Sequence, residues 1–581
     1  MYTRMLVAIP FAVLAMTATH AEQARPVVGR SMVATRYGIV ASSQPLAARA
    51  GIAILERGGN AVDAAIAANA TIGLMEPTGN GLGGDLFALV YEAKTGKLYG
   101  LNASGWAPSG LTPEFLRAKG AARTPTAEAA AAGVTEMPQS GVFSVTVPGA
   151  VAGWDALHTR FAKLPFKALL APAIFYAEEG FPVAEVTARG WGSPGAVRLL
   201  SAHPNAKKTF LRDGRAPAAG EVFRNPDLAA SLRRIVAADG RDGFYTGPTA
   251  AAVVKALREA GGTMTDADLA EFKPEWVDPI QTTYRGWTVS QIPPQGQGIA
   301  VLMMLNLMER FPLGEYGFHS PRALHVMIEA KKLAYADLLR YIGDPLFSKL
   351  PVSALLSKDR AMERAKLIDA ARAQCSVEPA QLEGITTAQG NDTIYLTTAD
   401  RDGNMVSLIQ SNYSGFGSGI VPDGAGFMLQ NRGALFTLEP NHPNTLAPRK
   451  RPLHTIIPGF MEKDGTRIAF GIMGGWNQAQ AHAQFVADIA DFGLTPQEAL
   501  EAGRFTKGTF TGCDVQIESL VPEAARAALT ALGHQLKVEG PRSNQFGWGQ
   551  AILSRPDGVH LGASEPRHDG MAIPEMPEVF R

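Results

Sequence analysis

Small and apolar residues recur at helical spacing through "QPLAARAGIAILERGGNAVDAAIAANATIGLM", Gln44 to Met75, and the pattern is interrupted once, at Gly58-Gly59-Asn60. That spacing predicts two packed helices, the first ended and the second started at the interruption. The next run, "EPTGNGLGGDLFALVYEAKTGKLYGLNASGWAP", switches to a period of two. It predicts two strands joined by a hairpin turn at Ala93 to Lys97, with a glycine-rich entry. From Val151 to about Met362 the periodicity is mostly helical. It is clearest in "RALHVMIEAKKLAYADLLRYIGDP", which reads as an amphipathic helix stopped by Gly343 and Pro345. From Thr393 the chain returns to strands, and "RIAFGIMGGWNQAQAHAQFVADIADFG" reads as strand, Gly-Gly turn and helix. Strands and helices at both ends, with helices between, predict one α/β domain built from the two ends on a helical scaffold. The segment "AKGAARTPTAEAAAAG", Ala118 to Gly133, is poor in bulky residues and reads as an exposed loop or loose helix without a function.

Composition narrows the partner. The 581 residues carry 54 Lys+Arg against 54 Asp+Glu, with no long block of like charge, which speaks against a nucleic-acid or acidic-lipid surface and for a small-molecule partner. The start, "MYTRMLVAIPFAVLAMTATHAEQ", has Arg4, an apolar run of roughly eleven residues from Leu6 to Met16, and small residues around Thr19 and Ala21. It predicts a secretory signal over residues 1–21 and an exported protein, periplasmic or secreted. The run is shorter than the about 20 apolar residues that span a bilayer, and no later segment reaches that length unbroken, so no membrane span is expected. Two cysteines, Cys375 and Cys513, cannot build a disulfide framework and lack metal-site spacing. They read as isolated thiols, with a single bridge as the alternative in an oxidising compartment. Without HExxH or paired histidine ligands a structural metal is not expected, and no GxGxxG or P-loop lies between a strand and a helix.

The candidate chemistry lies in "GNDTIYLTTADRDGNMVSLIQSNYSGFGSG", Gly390 to Gly419. A hairpin turning on Asp402-Gly403 pairs positions whose numbers sum to about 805, or about 804 with a glycine bulge. Thr393 and Ser411 meet that condition, so two hydroxyls face each other on neighbouring strands. A threonine hydroxyl is a poor nucleophile unless a base takes its proton, and the α-amine of an N-terminal threonine, with a reference pKa of about 7.7 to 8.0, is one such base. Thr393 acquires that amine only if the Asp392-Thr393 bond is cut, dividing the mature chain into a large part, 22–392, and a small part, 393–581. On the hairpin alone, the plainer reading is a β-branched residue opening a strand.

Further motifs change the balance: "GGNAVDAAIAANATIGLMEPTGNGLGGDLF", "SVTVPGAVAGW", "EAKKLAYADLLRYIGDP", the Thr393 hairpin with "DGNMVS", "FGSGIV", "KRPLHTIIP" and "GIMGGWN". In their number and order the chain resembles the γ-glutamyltransferase family of N-terminal-nucleophile hydrolases along nearly all of its mature length. The resemblance implies a four-layer αββα sandwich, with additional helical segments in the large subunit. It also implies that one precursor cleaves itself between Asp392 and Thr393 into two subunits that stay together as a heterodimer. Thr393 matches the nucleophile, Ser411 the hydroxyl partner that orients it, and Gly474 and Gly475 the pair whose N–H groups form the oxyanion hole. The implied reaction is attack of Thr393 on a small-molecule amide through an acyl-enzyme, with no metal or organic cofactor.

The sequence departs from the family where the substrate is held. The arginine that precedes an Ala-Pro in γ-glutamyl enzymes is missing from "NASGWAP", and the asparagine and aspartate that hold the α-amino group are matched by Tyr413 and Leu435. Arg432 replaces an uncharged residue and His454 a serine. Arg432, His454, Thr455 and Tyr413 are therefore the candidate substrate-binding residues, and arginine's planar fork suits a carboxylate; the alternative is that Arg432 makes an internal salt bridge and His454 is a satisfied core residue. The expectation is an acyl donor with a carboxylate and no α-amino group. "NRGALF…HPNTLAPRKRPLHTIIP" is similar to the branch with oxamate amidohydrolase and glutathione hydrolase-like proenzymes, and more distantly to cephalosporin acylases. The short Phe436 to His454 lid region points to an open pocket and to hydrolysis over transfer. Two alternatives stand beside this reading: true γ-glutamyl transfer with divergent recognition, and an unprocessed periplasmic binding protein or inactive homologue.

Overall fold

The computed structural model describes residues 28–122, 136–378, 393–510 and 512–580. The signal segment, most of Ala118 to Gly133, and Asp392 lie outside the described residues. The predicted hairpin is present: Ile394–Ala399 pairs antiparallel with Met405–Ser411, with Ile394 opposite Gln410 and Ala399 opposite Met405. The turn is longer than the two residues expected. The Asp400 N–H donates to the Asn404 carbonyl and the Gly403 N–H to the Asp400 carbonyl, both at 3.1 Å. Gly403 lies in the left-handed region at φ 86°. A three-residue turn with a glycine bulge follows, which is the register that sets Thr393 against Ser411.

This hairpin is the centre of a seven-stranded antiparallel sheet. Its order is Met571–Pro574, Ile39–Ser42, Ile394–Ala399, Met405–Ser411, Asp85–Glu92, Lys97–Ala103, Glu275–Val277. A second seven-stranded sheet runs Val33–Thr35, His560–Ser564, Gly549–Ser554, Thr466–Ile472, Gly459–Lys463, Trp287–Gln291, Ile280–Tyr284. Alternation sorts each strand between two layers. Ile39, Phe87, Tyr395, Ile409, Phe460, Ala469 and Ile552 form the core between the sheets. On the outer face of the first sheet, Ile394, Leu396, Val406 and Leu408 pack under helices that include Pro45–Leu55, Ala61–Met75 and Ala150–Phe161. Gly298–Met308, Pro321–Tyr341 and Asn477–Ala490 cover the second sheet. The expected four-layer αββα sandwich is the fold.

The two helices of Gln44 to Met75 form as the spacing predicts, and Asn60 caps the second in a capping box with Asp63. The middle of the chain is less helical than expected. Glu275–Val277 edges the first sheet, while Ile280–Tyr284 and Trp287–Gln291 extend the second. Pro321–Tyr341 is buried around most of its circumference rather than along one stripe, because its polar residues find internal partners. Lys332 Nζ donates to Glu329 Oε1 at 2.7 Å and His325 Nδ1 lies 2.8 Å from His534 Nε2. His325, Glu329 and His534 form a buried trio of metal-ligand types that histidine spacing did not signal. The Lys332 ammonium already neutralises Glu329 there. The cysteines are not isolated thiols: Cys375 and Cys513 form a disulfide with Cα atoms 4.7 Å apart, 138 residues apart in sequence. No helix among the described residues is long and apolar enough to cross a membrane.

The two sheets touch closely at Gly471, where an added Cβ would lie 2.4 Å from Tyr395 Cδ2. Gly471→Ala is expected to lower stability by about 1–3 kcal/mol through overpacking, read as a lower midpoint in denaturant. An unchanged midpoint would disprove close sheet contact at this point.

Candidate active site

Pleat parity brings the site together. Tyr395 and Ala399, Met405 and Ile409, and Phe87, Leu89 and Tyr91 all face the space between the sheets. Thr393, Ser411 and Asp85, at the ends of the same three strands, share that parity and that side. Ser411 and Asp85 are direct cross-strand partners. The Thr393 hydroxyl donates to Ser411 Oγ at 3.1 Å, and both residues are buried. Ser411 Oγ also accepts the Tyr413 N–H at 2.7 Å. That bond helps hold Tyr413 at φ 81°, a left-handed backbone that a bulky side chain adopts only under local constraint.

The Gly-Gly turn reaches the same end from the facing sheet. Thr466–Ile472 crosses over the hairpin, with Phe470 near Ser407 and Gly471 against Tyr395, so the residues that follow advance toward Thr393. Gly474 and Gly475 sit at φ 122° and 57°, which glycine adopts freely. Among the described residues neither N–H donates a hydrogen bond, and helix Asn477–Ala490 begins two residues on. Two free N–H groups beside a helix N-terminus form a site for developing negative charge. Gln297, on no strand or motif that sequence reasoning flagged, fixes this turn. Its Nε2 donates to the Gly475 carbonyl at 2.8 Å and to the Thr455 carbonyl at 2.5 Å. Tyr335 adds a bond from its hydroxyl to the Trp476 carbonyl at 2.5 Å.

A buried charged cluster adjoins the hydroxyls. The Asn431 N–H donates to the Asn412 carbonyl at 3.1 Å and the Gln430 N–H to the Gly83 carbonyl at 3.0 Å. These bonds set Arg432 beside both Tyr413 and Asp85. The guanidinium carbon is 4.7 Å from the Tyr413 ring centre, a cation–π contact. Nη1 donates to Thr455 Oγ1 at 2.7 Å, and Nε faces Asp85 Oδ2 at 3.8 Å. Among the described residues Nε and Nη2 find no hydrogen-bond acceptor, although the side chain is 0% exposed. Burial lowers the Arg432 pKa to about 10, with Asp85 and Tyr413 opposing, so the group stays charged at neutral pH. Burial also pushes the Tyr413 hydroxyl up to about 12, against Arg432 and Trp476.

Asp85 was not anticipated. Its Oδ1 accepts the Gly105 N–H at 3.0 Å and Gln430 Nε2 at 2.8 Å, and its Oδ2 lies 2.9 Å from His454 Nε2. The signal was available: "GLGGDLF" puts an acid at the first position of a strand that must be apolar on both faces. His454 is fully engaged, since its Nδ1 accepts the Ile456 N–H at 3.3 Å, which leaves Nε2–H to donate to Asp85. Burial and Arg432 lower its pKa well below the usual value, so the ring is neutral. The expectation that His454 itself grips an anion gives way to a different role: it holds Asp85. Thr455 likewise holds Arg432. Leu435 packs against the core over the second sheet, consistent with loss of an acid at that position.

The sequence profile of the gamma-glutamyltranspeptidase family matches residues 47–575. The chain is 34% identical to a glutathione hydrolase-like YwrD proenzyme of Bacillus subtilis, covering 94% of this chain and 100% of the relative. It is also 34% identical to an oxamate amidohydrolase proenzyme of Klebsiella pneumoniae, over 92% and 98% of the two chains. Among solved structures, a cephalosporin acylase from Bacillus halodurans superposes with a TM-score of 0.84 at 42% identity, covering 97% of this chain and 99% of that one.

Removing the Ser411 hydroxyl strands the buried Tyr413 N–H. Ser411→Ala is therefore expected to lose about 1–3 kcal/mol of stability, and Ser411→Thr, which restores the oxygen, to recover most of it. Equal denaturant midpoints for wild type and Ser411→Ala would remove the proposed anchoring of Tyr413.

Proposed function

The chain belongs to the gamma-glutamyltranspeptidase family, and from that premise we propose a self-cleaving N-terminal-threonine amidohydrolase. Its acyl donor carries a carboxylate and no α-ammonium group. The observation that carries the substrate reading is Arg432: buried, charged, and with Nε and Nη2 making no hydrogen bond among the described residues. A carboxylate would take both in the paired geometry that a guanidinium favours. An ammonium is less well placed: Asp85 Oδ1 already accepts two bonds, and the lone pair left on Oδ2 faces the Arg432 guanidinium, whose like charge disfavours a second cation. That argues against true γ-glutamyl transfer. A non-catalytic binder would leave the paired hydroxyls and the free Gly474 and Gly475 N–H groups without a use.

In this reading, scission of Asp392-Thr393 frees the Thr393 amine. The amine takes the hydroxyl proton as Oγ1 attacks the donor's amide carbon, the Gly474 and Gly475 N–H groups hold the oxyanion, and the proton passes to the leaving amine. Water, activated by the same amine, then hydrolyses the ester, with transfer to an amine acceptor the slower outcome. The Cys375–Cys513 bridge suits the oxidising compartment of an exported protein.

The bridge joins residues on opposite sides of the proposed cut. A denaturing gel of the purified protein should show one species without reductant and two with it, the smaller beginning Thr-Ile-Tyr-Leu. Thr393→Ala should remain one chain in both lanes and lose at least about a thousandfold in activity; a cleaved, active Thr393→Ala protein would end the mechanism. For the donor, glutaryl-p-nitroanilide and butyryl-p-nitroanilide differ by the carboxylate. Arg432→Ala should raise KM for the first by about 10- to 100-fold and leave the second nearly unchanged, while equal effects would exclude Arg432 from carboxylate recognition.

A further inference from the structure

The charges around Arg432 do not balance once an anionic donor is bound. In the free site Arg432 faces Asp85, and His454 is neutral. Scission would add the Thr393 α-amine beside Ser411, the cross-strand partner of Asp85; the remaining charged and titratable groups lie further out. Arg451, which exerts a weaker pull on Asp85, is paired with Glu275 at 2.7 Å. Tyr245, under the turn that leads into helix Ala150–Phe161, gives its hydroxyl to the Pro148 carbonyl at 2.7 Å. Tyr413 covers Arg432 from the hairpin side. The Met405–Ser411 strand adds no titratable group, Ser411 being its residue opposite Asp85. A donor carboxylate on Nε and Nη2 would place two negative charges against one buried guanidinium, and burial makes such an excess costly.

Resting on the donor reading above, we propose that Asp85 is the specificity-determining partner of Arg432: binding of the donor's carboxylate is accompanied by uptake of one proton by Asp85. His454 is the poorer acceptor. A proton on its Nδ1 would face the Ile456 N–H, and burial beside Arg432 already disfavours the imidazolium. Asp85 Oδ2 lies on the side of Arg432 that a donor carboxylate would approach, so its new O–H would have an acceptor. Burial has already pushed the Asp85 carboxyl up to about 7, against the pull of Arg432, the Gly105 N–H and Gln430, and a second anion nearby raises it further. The sign follows from linkage. Below about pH 7 free Asp85 is already protonated and binding takes up little. Above that, until the pKa of the complex is passed, each bound anion brings one proton, and affinity for the anion falls about tenfold per pH unit.

The test uses glutarate, the acid that a glutaryl donor would release, with wild-type protein and Asp85→Asn. Titration calorimetry at pH 8 in phosphate and in Tris, whose ionisation enthalpies differ, counts protons taken up per glutarate bound. The expected count is about one for wild type and zero for Asp85→Asn, with the wild-type Kd rising about tenfold from pH 7.5 to 8.5. Glutarate binding without proton uptake by wild type would overturn the coupling and leave the carboxylate reading standing. Uptake that persists in Asp85→Asn would overturn the assignment to Asp85. Failure of glutarate to bind would overturn the donor reading and this proposal with it. The wild-type measurement decides even if Asp85→Asn does not fold.

Discussion

The chemistry of this protein depends on one strand register. Ile394–Ala399, Met405–Ser411 and Asp85–Glu92 are paired so that every odd-numbered residue faces the second sheet. Slipping the hairpin by a single residue would turn Thr393 toward the helices and separate it from Ser411, because side chains alternate with a period of two. The register is held twice. The glycine-bulged turn at Arg401 to Gly403 sets it locally. The apolar core between the sheets sets it globally, since Tyr395, Ile409 and Phe87 cannot exchange places with the residues that pack under the helices.

Around that register the protein buries an arginine, an acid and a histidine at the end of the sandwich. A closed pair of ions gains little over apolar packing, and an open one is costly. Here the acid is closed, with both oxygens supplied with donors, while the arginine is left open on two nitrogens. An unsatisfied buried donor costs about 1–3 kcal/mol, so under the proposed donor reading a planar anion on those nitrogens gains binding energy that an uncharged group would not, which is how affinity becomes selective for one chemical class.

The parts legible in the sequence are those fixed by near neighbours. The hairpin, the two helices before Met75 and the Gly-Gly turn follow from local spacing, and the Thr393–Ser411 pairing needs only the turn between them. Arg432 drew notice as a departure from its family, yet its partners did not. Gln430 reaches Asp85 across 345 residues, and no periodicity links such positions. The strands at Glu275–Val277, Ile280–Tyr284 and Trp287–Gln291 were hidden because they are short and half polar, the first two being the edges of their sheets. The polar residues of Pro321–Tyr341 mark a solvent face by pattern and are instead satisfied by one another and by distant segments, Lys331 by the Thr509 carbonyl, Lys332 by the Gln374 carbonyl and His325 by His534. The bridge itself joins cysteines whose spacing carries no geometric information.

A cut before Thr393 is compatible with this fold because the boundary runs through both sheets rather than between them. Ile39–Ser42 lies between Met571–Pro574 and Ile394–Ala399, Asp85–Glu92 pairs with Met405–Ser411, Val33–Thr35 with His560–Ser564, and Trp287–Gln291 with Gly459–Lys463. Each of these ladders joins a strand from before residue 393 to one from after it. Breaking one peptide bond leaves all of them intact, with the Cys375–Cys513 bridge besides. The Thr393 hydroxyl already lies 3.1 Å from Ser411 Oγ in the continuous chain, so scission need not build the site. In the proposed mechanism it has only to supply an amine to groups that folding has already placed, which is the cheapest form of preorganisation available to a nucleophile.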